Sequence, residues 1–169
     1  MGTIFVDNIK QQSSQGSGTI TIGASGETVA LASGVKQSNL NYPAFYAHLS
    51  SSQSVSDNVS TKIQFDTEIF DSDNCYDNST NYRFTPTVAG KYFVYASCSC
   101  EAQTGGKNIV SQIRLLLNGS EYANPNASFI EGNVTRFIQT MTTLVDLNGS
   151  SDYLECDGKI NVGSGSGEF

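Results

Sequence analysis

Phe84-Thr-Pro-Thr-Val-Ala-Gly-Lys-Tyr-Phe-Val-Tyr-Ala-Ser-Cys-Ser-Cys100 decides the fold class of this chain. Pro86 ends a short β-prone run that begins at Asn81, because proline brings no N–H to a ladder. From Gly90 onward the stretch is aromatic, β-branched or small. Tyr92, Val94 and Ala96 point to one side of an extended backbone, and Phe93 and Tyr95 to the other. A strand that is apolar on both faces is expected to be covered on both sides. Cys98 and Cys100 continue it, two apart and so on one face. Their C-x-C spacing is not the C-x-x-C of zinc or redox motifs. Buried small hydrophobes are the favoured reading of the four cysteines, with a bridge from Cys75 as the alternative.

The flanking sequence repeats the strand signal. Residues 44–49 read as a first strand. Residues 61–70 alternate, with Ile63, Phe65, Thr67 and Ile69 on one side and Lys62, Gln64, Asp66 and Glu68 on the other. Residues 109–117 run into Asn118-Gly119, the strongest short hairpin signal. Residues 134–147 form a long strand ending at a second Asn148-Gly149, after which residues 153–156 are expected to pair back onto it. No segment has helical periodicity. Short strands separated by turns predict an all-β sandwich or jelly roll over residues 42–169.

Residues 1–38 differ in texture. They are small, polar and punctuated by glycine, with short alternations around Ile20, Ile22, Val29 and Leu31. Such strands bury too little to fold alone, so copies from neighbouring chains are expected to complete them in a β-rich fibre or collar segment.

The chain has 169 residues, 38% of them hydrophobic, and a net charge of −7 from 9 Lys plus Arg against 16 Asp plus Glu. No basic cluster exists to neutralise phosphates or an anionic membrane, which argues against both partners. No stretch approaches the ~20 apolar residues of a membrane span. Residues 1–10 lack a basic region followed by an apolar run, so no signal peptide is expected. The N-x-S/T triplets beginning at Asn58, Asn78, Asn118, Asn126, Asn133 and Asn148 are then chance products of an Asn- and Ser-rich chain.

Phe65-Asp66, Phe70-Asp71, Tyr76-Asp77 and the opening Phe84–Phe93 motif follow one another in an order that resembles the globular head of complement C1q and its tumour-necrosis-factor-like relatives. Residues 113–119 and 147–154 look like that family's later hairpins. Val6-Asp-Asn-Ile9, residues 18–23 and residues 26–34 are similar to leaders on tail-fibre and appendage proteins of marine phages. The resemblance implies a jelly roll that trimerises and binds through exposed faces and loops, without catalysis or a required cofactor. Its implied location is a virion, made in the host cytoplasm and released outside. Its implied partners are other tail proteins, through residues 1–38, and a host-surface glycan or protein. A purely structural decoration or collar role is the alternative, with polysaccharide depolymerisation a third. The family's usual further strand is represented at most by its start in residues 163–169, which would leave a sheet slot unpaired.

Residues with chemistry are few. His48 is the sole histidine and has no evident nucleophile beside it. Asp66 with Glu68, and Glu155 with Asp157, are carboxylate pairs on polar strand faces, where solvated charges ordinarily lie. Asp71, Asp73 and Asp77 offer hard oxygen ligands in a loop resembling the start of a calcium site. The loop lacks the glycine and distant glutamate of an EF-hand, and a hydrogen-bonded turn is the favoured reading. Tyr122, Asn124, Asn126 and Phe129 pair apolar rings with amides in an expected loop, a chemistry suited to a carbohydrate or equally to a trimer contact.

Overall fold

The computed structural model describes residues 42–103, 105–129, 134–163 and 165–169, together with the single residue Ser33. The expected fibre segment, residues 1–38, lies outside these apart from Ser33. The described residues contain no helix. They form thirteen strands: β1 (Phe45–His48), β2 (Ser54–Ser56), β3 (Thr61–Lys62), β4 (Thr67–Asp71), β5 (Tyr76–Asp77), β6 (Arg83–Phe84), β7 (Gly90–Ala102), β8 (Val110–Leu117), β9 (Ser120–Ala123), β10 (Asn126–Ser128), β11 (Arg136–Leu147), β12 (Leu154–Asn161) and β13 (Ser166–Glu168). All pairings between them are antiparallel.

Two sheets supply most of the core. One runs β10-β8-β12-β6-β5, with β3 also on β12 and β9 also on β8. The other runs β11-β7-β13-β2, and β1 and β4 form a separate pair. Alternate residues of β7 (Tyr92, Cys98, Cys100), β8 (Ile113, Leu115), β11 (Met141, Val145) and β12 (Leu154, Cys156, Ile160) are buried in one apolar cluster. Period-two patterning puts these side chains on one face of each strand. The arrangement is consistent with a β-sandwich. Phe45 stacks on Tyr76 at 4.3 Å and on Phe84 at 4.8 Å, carrying the cluster under β1.

Asn118 (φ 53°) and Gly119 (φ 77°) both sit in the left-handed region. That geometry matches the right-handed twist of β8 and β9, so the first Asn-Gly makes the expected hairpin.

Three expectations need correction. Residues 61–70 are not one strand. The ladder breaks between β3 and β4, and the alternation fails with it: Ile63 is buried while Ile69 is 60% exposed. At the break the Asp66 carboxylate accepts the Ser50 N–H (2.7 Å) and hydroxyl (2.6 Å). The second Asn-Gly is not a hairpin either. β12 pairs with β8, β6 and β3, while β11 pairs with β7, so residues 148–153 carry the chain from one sheet to the other. The Asn148 side-chain oxygen accepts the N–H groups of Ser150, Ser151 and Asp152, folding the link on itself. Gly149 (φ 69°) packs against the Ala89 backbone, where no Cβ fits. Finally, the two-sided cover expected for β7 is absent among the described residues, since Phe93 and Tyr95 are exposed.

Residues 166–168 do form a strand. β13 lies between β2 and β7, pairing Gly167 with both Val55 and Ala102.

Candidate functional site

The outer face of the β7–β11 pair is the most distinctive surface of the described residues. These strands pair without interruption from Gly90↔Leu147 to Glu101↔Arg136. Directly opposed residues share a face, so Phe93 meets Leu144, Tyr95 meets Thr142, Ser97 meets Thr140 and Ser99 meets Ile138. Phe93 is 71% exposed, Tyr95 62%, Ile138 62% and Leu144 61%. The hydroxyls of Ser97 and Thr140 lie 3.2 Å apart at the centre. Ion pairs bracket the stripe. Lys91 pairs with Asp146 at one end, and Arg136 with Glu101 at the other, with Nε to Oε2 at 2.7 Å. Hydrogen bonding to Asp146 raises the Lys91 pKa.

Tyr122 borders this stripe. Its hydroxyl donates to the Leu144 carbonyl at 2.9 Å, linking β9 to β11 across the two sheets. The other expected binding residues do not gather around it. Asn124 accepts from Gln112 Nε2 (2.6 Å) and donates to Glu121 (3.1 Å). Asn126 lies in β10 opposite Gln112. Phe129 makes an edge-to-face contact with Phe137 at 5.0 Å. Tyr122 is thus beside the Leu144 end of β11, and Phe129 beside the Phe137 end. The expected loop is largely strand, β9 and β10 separated by Asn124 and Pro125.

The acidic segment is a set of turns. The Asp71 carboxylate accepts the N–H groups of Asp73 and Tyr76, and Asp73 accepts the Thr87 hydroxyl. Asp77 accepts the N–H groups of Ser79 (3.1 Å), Thr80 (2.9 Å) and Asn81 (3.1 Å). These backbone donors hold its pKa well below the usual carboxylate range. Among the described residues no three His, Cys, Asp or Glu side chains are grouped to hold a metal ion.

Two of the candidate carboxylates are engaged as well. Asp157 is buried on the outer side of β12, where Arg114 Nε reaches Oδ1 at 2.8 Å and the guanidinium makes a second bond to Oδ2. Glu155 pairs with Lys62. Both therefore sit in ion pairs and are more covered than the solvated strand face expected for them. All four cysteines are free and buried. Burial pushes the Cys156 thiol up to about 12.

The sequence reading missed the stripe as a site, although it noted Phe93 and Tyr95 as the second apolar face of their strand. Ile138 and Leu144 gave no signal of their own until the register placed them beside those rings. No family model matches this chain, and no curated protein matches it.

Proposed function

We propose that residues 42–169 form a jelly roll of the C1q/TNF-like kind, that three copies associate through the outer β7–β11 face, and that the trimer is the non-catalytic head of a phage tail fibre or appendage. Its partner is a host-surface glycan or protein. The observation that supports this reading best is the stripe of Phe93, Tyr95, Ile138 and Leu144, open to water in one chain. Burial of a large apolar side chain is worth about 1.5–3 kcal/mol, so association of copies through this face is favourable. The bracketing ion pairs would fix the rim of such a contact and add little energy, about 0–1 kcal/mol each.

The absence of catalysis rests on how the titratable groups are used. Of the candidate pairs, Asp66, Glu155 and Asp157 are each committed to backbone donors, a hydroxyl or a cation, so neither pair keeps both carboxyls free. A glycosidase needs one carboxyl free to give a proton and another free to attack or to activate water. The engagement of Asp71 and Asp77 by backbone N–H groups favours assembly without calcium.

Light scattering on a sizing column, with and without a chelator, tests the assembly. The expected mass is three times 18.1 kDa in both conditions. A stable monomer overturns the proposal. Binding of labelled protein to candidate host cells separates the receptor role from a purely structural collar or decoration. Release of reducing ends from host polysaccharide would instead mark a depolymerase.

A further inference from the structure

An open polar depression of about 580 Å³ lies at the β5–β6 hairpin. Glu68, Asn74, Asn78, Asn81, Arg83 and Thr85 help to line it, so carboxylate, amide, guanidinium and hydroxyl groups meet in one place. Arg83 is the unusual member. The ladders set it directly across from Asp77 on β5 and from Glu155 on β12. Its guanidinium nevertheless makes no ion pair or hydrogen bond among the described residues, whereas the other two arginines, Arg114 and Arg136, each hold a carboxylate.

Both flanking carboxylates are already taken. Asp77 turns into its own loop and accepts the N–H groups of Ser79, Thr80 and Asn81. Glu155 holds Lys62. Arg83 is left over the ring of Tyr153, with its Cζ 4.6 Å from the centroid. Stacking fixes the plane of a guanidinium and leaves its N–H edges open. Those edges are what grips a carboxylate through two parallel hydrogen bonds. The neighbouring polar groups are open as well. Asn81 donates its amide to Asp77 (2.7 Å), but the side chains of Glu68, Asn74 and Asn78 make no hydrogen bond among the described residues. Tyr82, between Asn81 and Arg83, has φ 50° and is the one described residue other than asparagine and glycine in the left-handed region. Backbone strain of this kind gathers where geometry serves a ligand.

We propose that this depression binds a carboxylated sugar unit of a glycan, with Arg83 gripping the carboxylate and Glu68, Asn74 and Asn78 bonding the ring hydroxyls. A sugar hydroxyl both donates and accepts, which suits a wall that offers amides and a carboxylate together. A simple carboxylate would leave those groups unpaired. A metal ion is disfavoured by the guanidinium in the same space, and an apolar ligand by the burial of Cys75 and Tyr76, the apolar residues of the lining. The inference rests on the reading of this chain as a glycan-binding head, and gives that glycan a charge and a place. It does not depend on the proposed trimer face, because β6 belongs to the other sheet from β7 and β11.

The test is calorimetric titration of the whole chain with short oligomers of galacturonate, mannuronate and sialic acid, each beside its methyl ester, and with succinate. At least one acid is expected to bind about tenfold or more tightly than its ester, and succinate not to bind. Arg83→Gln should bring that acid down to the level of its ester and leave the ester unchanged, with Tm as the check on folding. Arg83→Lys, which keeps the charge but not the fork, should restore only part of the affinity. No binding by any acid, equal binding of acid and ester, binding of succinate as tight as that of the sugar, or full affinity in Arg83→Gln each overturn the proposal. Attachment to host cells separates it from the head reading. Cells bound equally by the parent and by Arg83→Gln overturn the pocket and leave the head standing; a parent that binds the acid but no cells supports the pocket and overturns the host role.

Discussion

Phe93 stands directly across from Leu144 in the β7–β11 ladder, and both side chains lie open on its outer face. A large apolar cross-strand pair is normally a core feature. Here it is a surface feature of the single chain, and the assembly reading can be challenged there. Phe93→Asp is expected to convert a trimer into an 18.1 kDa monomer by light scattering while leaving the far-ultraviolet circular dichroism unchanged. Because the side chain is mostly exposed, the cost to the isolated fold should stay within about 0.5 kcal/mol. A Phe93→Asp protein that remains trimeric would place the interface elsewhere.

Arg114 and Asp157 test a different link. Removing Arg114 leaves a buried carboxylate without its bidentate partner. Arg114→Met is expected to lower stability by about 2–3 kcal/mol in urea unfolding, short of the full cost of breaking a buried pair because the guanidinium keeps some contact with water. The double variant Arg114→Met with Asp157→Leu should recover much of the loss. If the single variant unfolds at the same urea concentration as the parent protein, the pair contributes nothing.

Gly149 packs where a side chain cannot. A Cβ there would lie 2.2 Å from the Ala89 nitrogen, on a backbone already at φ 69°. Gly149→Ala is expected to cost about 2–4 kcal/mol through combined clash and left-handed strain. Gly105→Ala is the matched control, since its φ of 77° carries the strain but its surroundings are open. A smaller loss of Tm at Gly105 separates packing from backbone conformation.

Cys156 is one of the groups that weaken the fold in alkali. Its pKa is raised by burial, so the folded chain keeps a proton that the unfolded chain releases. The resulting stability is fully present below the ordinary thiol value of 9.0 and is lost as pH rises from there to about 12. Tm should therefore fall over that range, and Cys156→Ala should fall less steeply than the parent. All four thiols should resist a thiol-reactive dye in buffer and react in denaturant, as buried free cysteines do.

Asp77 behaves in the opposite sense. Its lowered pKa means the turn it caps is stabilised at neutral pH, and this contribution is lost as pH falls below the ordinary carboxylate value toward the lower folded one. Asp77→Ala should increase proteolytic nicking within residues 77–82 at neutral pH, and should narrow its difference from the parent protein in acid.

What could be read in advance follows the range of the interactions. The class of fold, and the strands now seen as β1, β7, β8 and β11, were legible because period-two patterning is local. The Asn118-Gly119 hairpin was legible because two left-handed residues in a row demand that chemistry. Asn148-Gly149 carried the same two letters and misled, since its asparagine side chain caps three following N–H groups and sends the chain to the other sheet. At the break Asp66 holds Ser50, sixteen residues away, and no periodicity reports such a contact. The outer stripe needed a register: Ile138 and Leu144 are ordinary apolar residues until pairing sets them beside Ser99 and Phe93.

The β7–β11 ladder also constrains how the chain reaches its native state. Its terminal ion pairs join residues 35 and 55 positions apart in sequence, Glu101 with Arg136 and Lys91 with Asp146. The loop to be closed is shortest at Glu101 and Arg136, so zipping from there toward Gly90 and Leu147 costs the least entropy. Topologies dominated by such distant partners fold on the order of milliseconds to seconds. Two nascent chains in close proximity could exchange this strand while the search lasts, so the rate of refolding should depend on protein concentration.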